Sequence, residues 1–328
     1  MTVAFARILE ARHRLSGRIL RTALREAGAL SARVGVPVRL KCEHQQTTGS
    51  FKLRGATNAL LALDPGHRAA GVAAASTGNH GRALAYAARM AGVRAVICMS
   101  RLVPRNKLAA IEALGAEVRI VGASQDEAQH EVERLVREEG MMMVPPFDMV
   151  EVIAGQGTLG LELMEDAPDT SIVLVPLSGG GLISGVARAV KTTNPSVRVI
   201  GVSMERGAAM YASLGAGRPM EIEEVPTLAD SLGGGIGLDN ALTFGMVRDL
   251  VDDVVLVSER AIAGAIRSVY FDEGEVIEGA AAVGIAALDT GLIRATGPVV
   301  VVLSGKNIDM DLHRRIVSGE DPDLGAGS

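Results

Sequence analysis

Short apolar runs alternate with longer stretches of helical periodicity along most of this chain, and this alternation restricts its fold more than any other feature. The first part of the pattern is strand-like at residues 72–75, helix-like at 82–91, strand-like at 95–99 and helix-like at 106–114. The same rhythm returns after Pro145 and Pro146. Apolar strands separated by amphipathic helices are typical of parallel sheets covered on both faces. The sequence therefore predicts an α/β protein with two such lobes.

The composition argues against nucleic acid and membrane partners. The 328 residues are 48% hydrophobic with a net charge of −5, which indicates a globular protein without a basic surface. The apolar runs at residues 172–177 and 299–303 are too short to span a bilayer. Cys42 and Cys98 have no metal-like spacing, so we expect reduced thiols and a cytoplasmic protein.

Lys52 stands in the segment TGSFKLRGA, residues 48–56, of a chain that has five lysines and twenty-eight arginines. A Schiff base needs a primary amine that can lose its charge, and arginine does not offer one. A lysine kept in an arginine-dominated chain therefore indicates an imine-forming amine. A solvated lysine at the start of a helix would fit the local sequence equally well.

A glycine-rich turn, Ser178-Gly179-Gly180-Gly181, lies between a buried-type strand and a helix. Backbone N–H groups at such a turn can surround a phosphate, and the helix dipole favours the negative charge. A tight connection would use the same residues. A dinucleotide site is disfavoured because the G-x-G-x-x-G fingerprint is absent.

Three further polar positions lie at the ends of predicted strands and helices. Residues 76–80, STGNH, run from a strand into a helix, where they could bind an anion or simply cap the helix. Ser304 follows an apolar strand, so its hydroxyl could bond a heterocyclic nitrogen or belong to a Ser-Gly turn. Glu278 opens a small-residue helix, where a carboxylate also complements the helix dipole.

Taken in order, these segments resemble the fold-type II pyridoxal phosphate enzymes of the threonine dehydratase and serine racemase branch. The resemblance covers nearly the whole chain and rests on residues 41–58, 75–81 (ASTGNHG), 178–182 (SGGGL) and 303–307 (LSGKN). It implies two parallel-sheet α/β lobes of the tryptophan synthase beta-like architecture, with the cofactor in the cleft between them. It further implies a large cofactor-binding domain of residues 1–69 and 149–328, into which a small substrate-binding domain of residues 70–148 is inserted.

The resemblance also implies pyridoxal 5′-phosphate as the cofactor and gives each block a role. Lys52 would form the Schiff base and act as general base. The residues implied to contact the cofactor are Phe51, Lys52, Asn79, Ser178, Gly179, Gly180, Gly181, Leu182, Glu278 and Ser304. Those implied to bind the substrate carboxylate are Ser76, Thr77, Asn79 and His80. Thr77 is also a catalytic candidate, because it stands where serine racemases carry the serine that protonates the far face of the carbanion.

Several positions depart from the family pattern. Ser231 replaces a glycine, Gly279 a proline and Lys306 a glycine. The acidic pair of the divalent-cation-dependent members is matched by Ser203 and Ala209, so we expect no metal site. An arginine that lines the substrate region of serine racemases is matched by Ala128, which would change the setting of the substrate side chain.

The resemblance implies a dehydratase that removes water from a β-hydroxy amino acid and releases a 2-oxo acid and ammonia. Residues 201–210 and 230–237 are most similar to the hydroxyectoine utilisation dehydratases, which implies a hydroxylated diaminobutyrate derivative as substrate. Alternatives are a threonine or serine dehydratase, an amino acid racemase, a β-replacement transferase, or a cofactor carrier without turnover. A homodimer is the expectation from base rates.

Overall fold

Two separate sheets organise the chain. The structure is a computed structural model that describes residues 2–76, 78–101, 105–123 and 125–321. The described strands form one six-stranded and one four-stranded sheet, and helices connect most of them. The predicted α/β class with two parallel-sheet lobes is confirmed. We call the six-stranded sheet with its helices the large lobe and the four-stranded sheet with its helices the small lobe.

Strands and helices alternate along most of the chain. In chain order, the strands are β1 (Leu24–Glu26), β2 (Val38–Lys41), β3 (Val72–Ala75), β4 (Ala95–Met99), β5 (Glu117–Ile120), β6 (Met142–Met143), β7 (Ile172–Pro176), β8 (Arg198–Met204), β9 (Asp253–Val257) and β10 (Val299–Val302). The helices are α1 (Phe5–Leu15), α2 (Gly28–Val34), α3 (Lys52–Leu61), α4 (Pro65–Ala70), α5 (Asn79–Ala91), α6 (Arg105–Glu112), α7 (Gln125–Glu139), α8 (Val150–Asp166), α9 (Gly181–Thr193), α10 (Ala209–Ala216), α11 (Thr243–Leu250), α12 (Glu259–Ser268), α13 (Gly279–Asp289) and α14 (Met310–Val317). Short 3₁₀ turns lie at Glu43–Gln45 and Asp230–Leu232, and a π-helical turn lies at Val269–Glu273.

The strand order is β1-β2-β10-β7-β8-β9 in the large lobe and β5-β4-β3-β6 in the small lobe. Among the described strands, all pairings are parallel except that of β1 with β2. The central strand β10 pairs Val299 with Val38 on one side and with Ile172 on the other. The C-terminal ends of β2, β7 and β10 therefore meet at one edge, which is where ligands bind in open α/β sheets.

Helices cover both faces of the large sheet. Val299 and Val301 pack into a cluster with α13 and α12, whereas Val300 and Val302 pack on the opposite side with residues of α9. These four successive valines have no exposed surface, so the strand is apolar on both faces of the sheet, as is typical of a central parallel strand. Helix α13 is apolar all round, and every residue from Gly279 to Leu288 is buried.

The small lobe has the same layered construction. Helices α3 and α5 pack with Val72, Ile97 and Met99 on one side of its sheet. On the other side, Ala128 of α7 is fully buried with Ala73 and Cys98. Ala128 therefore belongs to the hydrophobic core, and the expectation that loss of an arginine at this position changes the setting of the substrate side chain stays a prediction. The domain boundaries at residues 69/70 and 148/149 stay a prediction.

The large lobe brings α8 and α9 into close contact. A Cβ atom on Gly185 would lie 2.4 Å from the carbonyl oxygen of Ile153, so only glycine permits this approach. In the described part of the chain, no helix has the length and apolar character needed to cross a membrane.

A buried group of four charged side chains connects α3, which also packs on the sheet of the small lobe, to the large lobe. Arg54 has no exposed surface, and its guanidinium donates to both oxygens of Glu43, at 2.8 and 2.9 Å, and both of Glu162, at 2.7 and 2.9 Å. Lys41 donates to Glu162 at 2.5 Å and to the carbonyl oxygen of Thr22 at 2.8 Å. Although burial opposes ionisation, Arg54 lowers the pKa of the Glu43 carboxyl. We call Lys41, Glu43, Arg54 and Glu162 the buried ion cluster.

Arg54→Leu should destabilise the protein by about 3–5 kcal/mol, because it leaves two carboxylates buried without their main partner. Urea unfolding of the cofactor-free protein measures the change. Arg12→Leu, which removes an exposed ion pair to Glu165, is the matched control and should cost less than about 1 kcal/mol. Equal losses for the two variants would contradict the assignment of the buried ion cluster as an anchor.

Candidate active site

Lys52 is the first residue of α3, and its side chain leaves the helix away from the buried ion cluster. Successive helical residues are about 100° apart, so Lys52 and Arg54 point about 200° apart around the axis. The anchored guanidinium thus directs the lysine to the opposite side. Lys52 Nζ donates to the carbonyl oxygen of Pro146 at 2.8 Å and lies 5.2 Å from the centre of the Phe51 ring.

The surroundings of Lys52 favour a neutral amine. Burial lowers the pKa of Lys52 to about 8, although the nearby carboxylate of Glu278 acts in the other direction. Burial, together with the charge of Lys52, lowers the pKa of His80 to about 3. Because the Val144 carbonyl oxygen can only accept, the His80 Nε2 atom 2.7 Å away carries the proton. The site therefore contains a neutral histidine beside an amine that is easily deprotonated.

The segment before Lys52 is held against the segment after β10. The N–H of Phe51 donates to the carbonyl oxygen of Ser304 at 3.0 Å, and the N–H of Lys306 donates to that of Gly49 at 2.9 Å. Ser50 and Gly305 form an isolated antiparallel bridge between these hydrogen bonds. Two segments from opposite ends of the chain thus form one surface. Ser304 is 3% exposed, and its hydroxyl has no hydrogen bond to any described residue.

Glu278 lies next to this surface and receives hydrogen bonds from both lobes. Asn79 Nδ2 donates to its Oε1 at 2.8 Å, and the N–H of Asn307 donates to its Oε2 at 3.0 Å. The nearby hydroxyl of Ser231 acts to lower the pKa of this carboxylate. Burial, together with the charge of Asp230, raises the pKa of Glu278 to about 7. Glu278 is the N-cap residue of α13, but its side chain makes no capping bond, so the helix-dipole interpretation does not describe its main contacts.

The glycine-rich turn follows β7 and leads into α9. Gly180 is the N-cap residue and has φ of 86°, a conformation that favours glycine. A Cβ atom on Gly179 would lie 2.3 Å from Cδ1 of Phe147, so the phenyl ring rests directly on the turn. Ser178 is half-buried, and Gly181 and Leu182 in the first turn of α9 are buried. The first N–H groups of this 13-residue helix lack intrahelical partners and can bind an anion.

The STGNH segment connects β3 to α5, and its members have different surroundings. Ser76 Oγ accepts the N–H of Gly81 in the first turn of α5 at 3.1 Å, although the N-cap residue itself is Gly78. Asn79 and His80 are buried, and Asn79 points to Glu278 in the large lobe. Thr77, the proposed second catalytic residue, lies outside the described residues.

The remaining departures from the family pattern are local. Lys306 is exposed. A Cβ atom added to Gly279 would lie 2.1 Å from the carbonyl oxygen of Leu228, so only glycine fits at this position. Ser203 is buried and its hydroxyl faces the sulfur of Met204 at 3.3 Å. Among the described residues, no group of three or more His, Cys, Asp or Glu side chains is placed to hold a metal ion.

Sequence reasoning missed several residues of this site. Pro146 accepts from Lys52, Phe147 covers the glycine-rich turn, and Asn307 connects both lobes. Phe147 carried one signal, because aromatic residues are only 2% of the chain. Carbonyl contacts and amide bridges between distant segments have no signature in a single sequence.

Comparisons with known proteins agree with this arrangement. The family model described as pyridoxal-phosphate dependent enzyme matches residues 15–305. A putative threonine dehydratase of Sinorhizobium fredii is 60% identical over 313 residues, which cover 95% of this chain and 94% of that protein. The L-threonine ammonia-lyase of Thermotoga maritima is 44% identical over 95% of this chain and 77% of its own length. The solved structure of maize serine racemase matches with a TM-score of 0.90 at 33% identity, over 95% of this chain and 96% of that one.

Gly179→Ala should weaken binding of pyridoxal phosphate at least about tenfold, because the new methyl group displaces Phe147 from the turn. Fluorescence titration of the cofactor-free protein measures the dissociation constant. Adding Phe147→Ala to this variant should recover part of the loss. Gly245→Ala in α11, where an added Cβ meets nothing within 4 Å, is the control. Wild-type affinity in Gly179→Ala would contradict the proposed role of the turn.

Glu278→Gln should become more stable relative to the wild type as the pH rises. The folded-state pKa of about 7 lies above the ordinary value of 4.5. The protonated carboxyl therefore contributes fully to the wild type's free energy of unfolding below pH 4.5, and this contribution is lost as the pH rises through 7. The relative gain over this window is at most about 3 kcal/mol, since one pKa unit corresponds to about 1.36 kcal/mol. Urea unfolding of both cofactor-free proteins at about pH 5 and pH 8 provides the comparison, and a difference independent of pH would refute the assignment.

Proposed function

The chain belongs to the pyridoxal-phosphate dependent enzyme family, and we propose that it removes water from a β-hydroxy amino acid to give a 2-oxo acid and ammonia. The observation that carries this proposal is the amine of Lys52, which has a pKa of about 8 and lies beside Glu278 and the neutral His80. An amine in this state can form an imine and can later accept a proton. The relatives named threonine dehydratase and L-threonine ammonia-lyase support the same reaction class.

The residues of the cleft fit the cofactor on chemical grounds. The turn of residues 178–181 and the start of α9 would hold the phosphate, Phe51 would contact the ring, and Lys52 would form the Schiff base. Asn79 would donate to the 3-oxygen of the ring. The hydroxyl of Ser304, which has no other partner among the described residues, would bond the ring nitrogen. When bound, pyridoxal phosphate supplies an electron sink that withdraws charge from the substrate Cα.

The side chains around the cleft account for binding and proton transfer. Ser76, Thr77 and the start of α5, a 13-residue helix, would hold the substrate carboxylate. That contact would fix the Cα–H bond toward Lys52. The neutral amine of Lys52 then takes the Cα proton as general base. His80, kept neutral, adds no positive charge that would compete with this proton transfer.

Elimination follows from the loss of the Cα proton. The Cβ–oxygen bond breaks as the Cα–Cβ double bond forms, and the leaving hydroxyl takes up a proton to become water. The released enamine rearranges to an imine, and water hydrolyses it to the 2-oxo acid and ammonia. Ser304 would assist this elimination, because a hydroxyl, unlike a carboxylate, would not hold the ring nitrogen of the bound cofactor protonated. A weaker electron sink favours prompt loss of the β-group over a long-lived carbanion.

For the substrate, we propose a hydroxylated diaminobutyrate derivative of the kind that hydroxyectoine breakdown supplies, with threonine and serine as poorer substrates. Residues 201–210 and 230–237 support this choice by their resemblance to the hydroxyectoine utilisation dehydratases. A second amino group would also find negative charge at this site, since Asp230 lies close enough to Glu278 to raise its pKa. A racemase is the second candidate, and the match to maize serine racemase favours it. Racemisation needs a proton donor opposite Lys52, and Thr77 is the candidate.

The wild-type enzyme should release 2-oxo acid and ammonia in equal amounts from β-hydroxy amino acids, fastest from a hydroxylated diaminobutyrate. Lys52→Ala should lower this rate at least about a thousandfold, because it removes the general base and the imine. Lys191→Ala, at a lysine that bonds Asp252 in the large lobe, is the matched control. Coupled assays of both products over a substrate panel measure the rates. Loss of a Cα deuterium label without oxo-acid release would contradict the dehydratase and support the racemase.

A further inference from the structure

We propose that Asn307 is a positioning residue that fixes the amide of Asn79 with its nitrogen, rather than its oxygen, toward the cofactor. Asn307 lies in the loop after β10, between the two lobes. The inference rests on the proposed cofactor site, in which Asn79 donates to the ring's 3-oxygen. Asn307 would ensure that the Asn79 amide presents its Nδ2, and not its Oδ1, to the ring.

The side chain of Asn307 has both ends of its amide in use. Its Nδ2 donates to the carbonyl oxygen of Thr48 at 3.0 Å and to Oδ1 of Asn79 at 2.5 Å. Its Oδ1 accepts from Nη1 of Arg82 at 3.1 Å. Its main-chain N–H donates to Glu278. One residue thus contacts the segment that carries Lys52, the start of α5, and the buried carboxylate.

Two of these partners determine which way the amide of Asn307 is turned. A main-chain carbonyl can only accept a hydrogen bond, and a guanidinium can only donate one. Thr48 therefore requires the nitrogen of Asn307 on its side, and Arg82 requires the oxygen on the other. An amide between two such groups cannot be reversed without losing both hydrogen bonds.

The orientation of Asn307 is passed on to Asn79. Because Asn307 offers its nitrogen, Asn79 must turn its own oxygen to it. The nitrogen of Asn79 then points to Glu278 Oε1, 2.8 Å away, at the cleft. Gly49 is needed for this arrangement, because a Cβ atom added at this position would lie only 2.7 Å from Oδ1 of Asn307. The donor that faces the cofactor is thus selected by residues that do not themselves reach it.

Asn307→Asp separates this role from a merely structural one. The carboxylate keeps an acceptor for Arg82, now as an ion pair, but it removes the donor to Asn79. Asn79 should then reverse and present its oxygen to the ring's 3-oxygen, which favours the ring hydroxyl that retains its proton. We expect weaker binding of pyridoxal phosphate by at least about tenfold and a shift of the bound cofactor's absorbance toward its shorter-wavelength band. The unfolding midpoint of the cofactor-free variant should fall only slightly, because the new ion pair with Arg82 partly offsets the hydrogen bonds that Thr48 and Glu278 lose.

Asn194→Asp at the end of α9 is the matched control, because it makes the same chemical change far from the cleft. A second test uses Asn79→Ala, Asn307→Ala and the double variant. If Asn307 acts through Asn79, its removal should add no further loss of cofactor affinity once Asn79 is alanine. Additive losses would overturn the inference.

A wild-type dissociation constant and spectrum in Asn307→Asp would equally overturn it, as would a lowered midpoint with an unshifted spectrum. These results differ from failure of the proposed function itself. In that case the wild-type protein would bind no pyridoxal phosphate and show no imine band, and the inference would fall with the function.

Discussion

The buried guanidinium of Arg54 is the contact on which the geometry of the site depends. Its two carboxylate partners come from the turn after β2 and from α8, so one side chain fixes α3 against two distant parts of the large lobe. Apolar packing alone would tolerate rotation of a helix, whereas a bidentate guanidinium has a fixed direction. Because Arg54 faces inward, Lys52 must face the cleft. The amine of Lys52 is thus positioned by a buried side chain two residues away.

The surroundings of the Lys52 amine favour neutral forms of the titratable groups in the cleft. Burial lowers the pKa of Lys52 to about 8 and that of His80 to about 3, while it raises the pKa of Glu278 to about 7. All three shifts favour the neutral form, as desolvation requires. Glu278 also accepts hydrogen bonds from Asn79 in the small lobe and Asn307 in the large lobe. The carboxylate that acts on the pKa of Lys52 is therefore held by contacts from both lobes.

The sequence predicted the parts of this protein that depend on local pattern. The alternation of apolar runs and helical stretches predicted the parallel sheets, and the blocks around Lys52, Gly180 and Ser304 predicted the residues at the strand ends. The sequence could not predict the contacts between these blocks, because the partners are far apart in the chain. Arg54 and Glu162 are separated by 108 residues, and Asn307 and Asn79 by 228. The resemblance also did not show that Ala128 lies in the core, where helix α7 turns that side toward its sheet.

The most direct test of the proposed chemistry is to find which lysine carries the cofactor. The purified protein loaded with pyridoxal phosphate would be reduced with borohydride, which converts an imine to a stable secondary amine, and its peptides would be mapped by mass spectrometry. We expect a single pyridoxyl adduct on Lys52 and none on Lys41, Lys107, Lys191 or Lys306. An adduct on another lysine, or no adduct in protein that binds the cofactor, would contradict the assignment of Lys52 as the imine-forming residue.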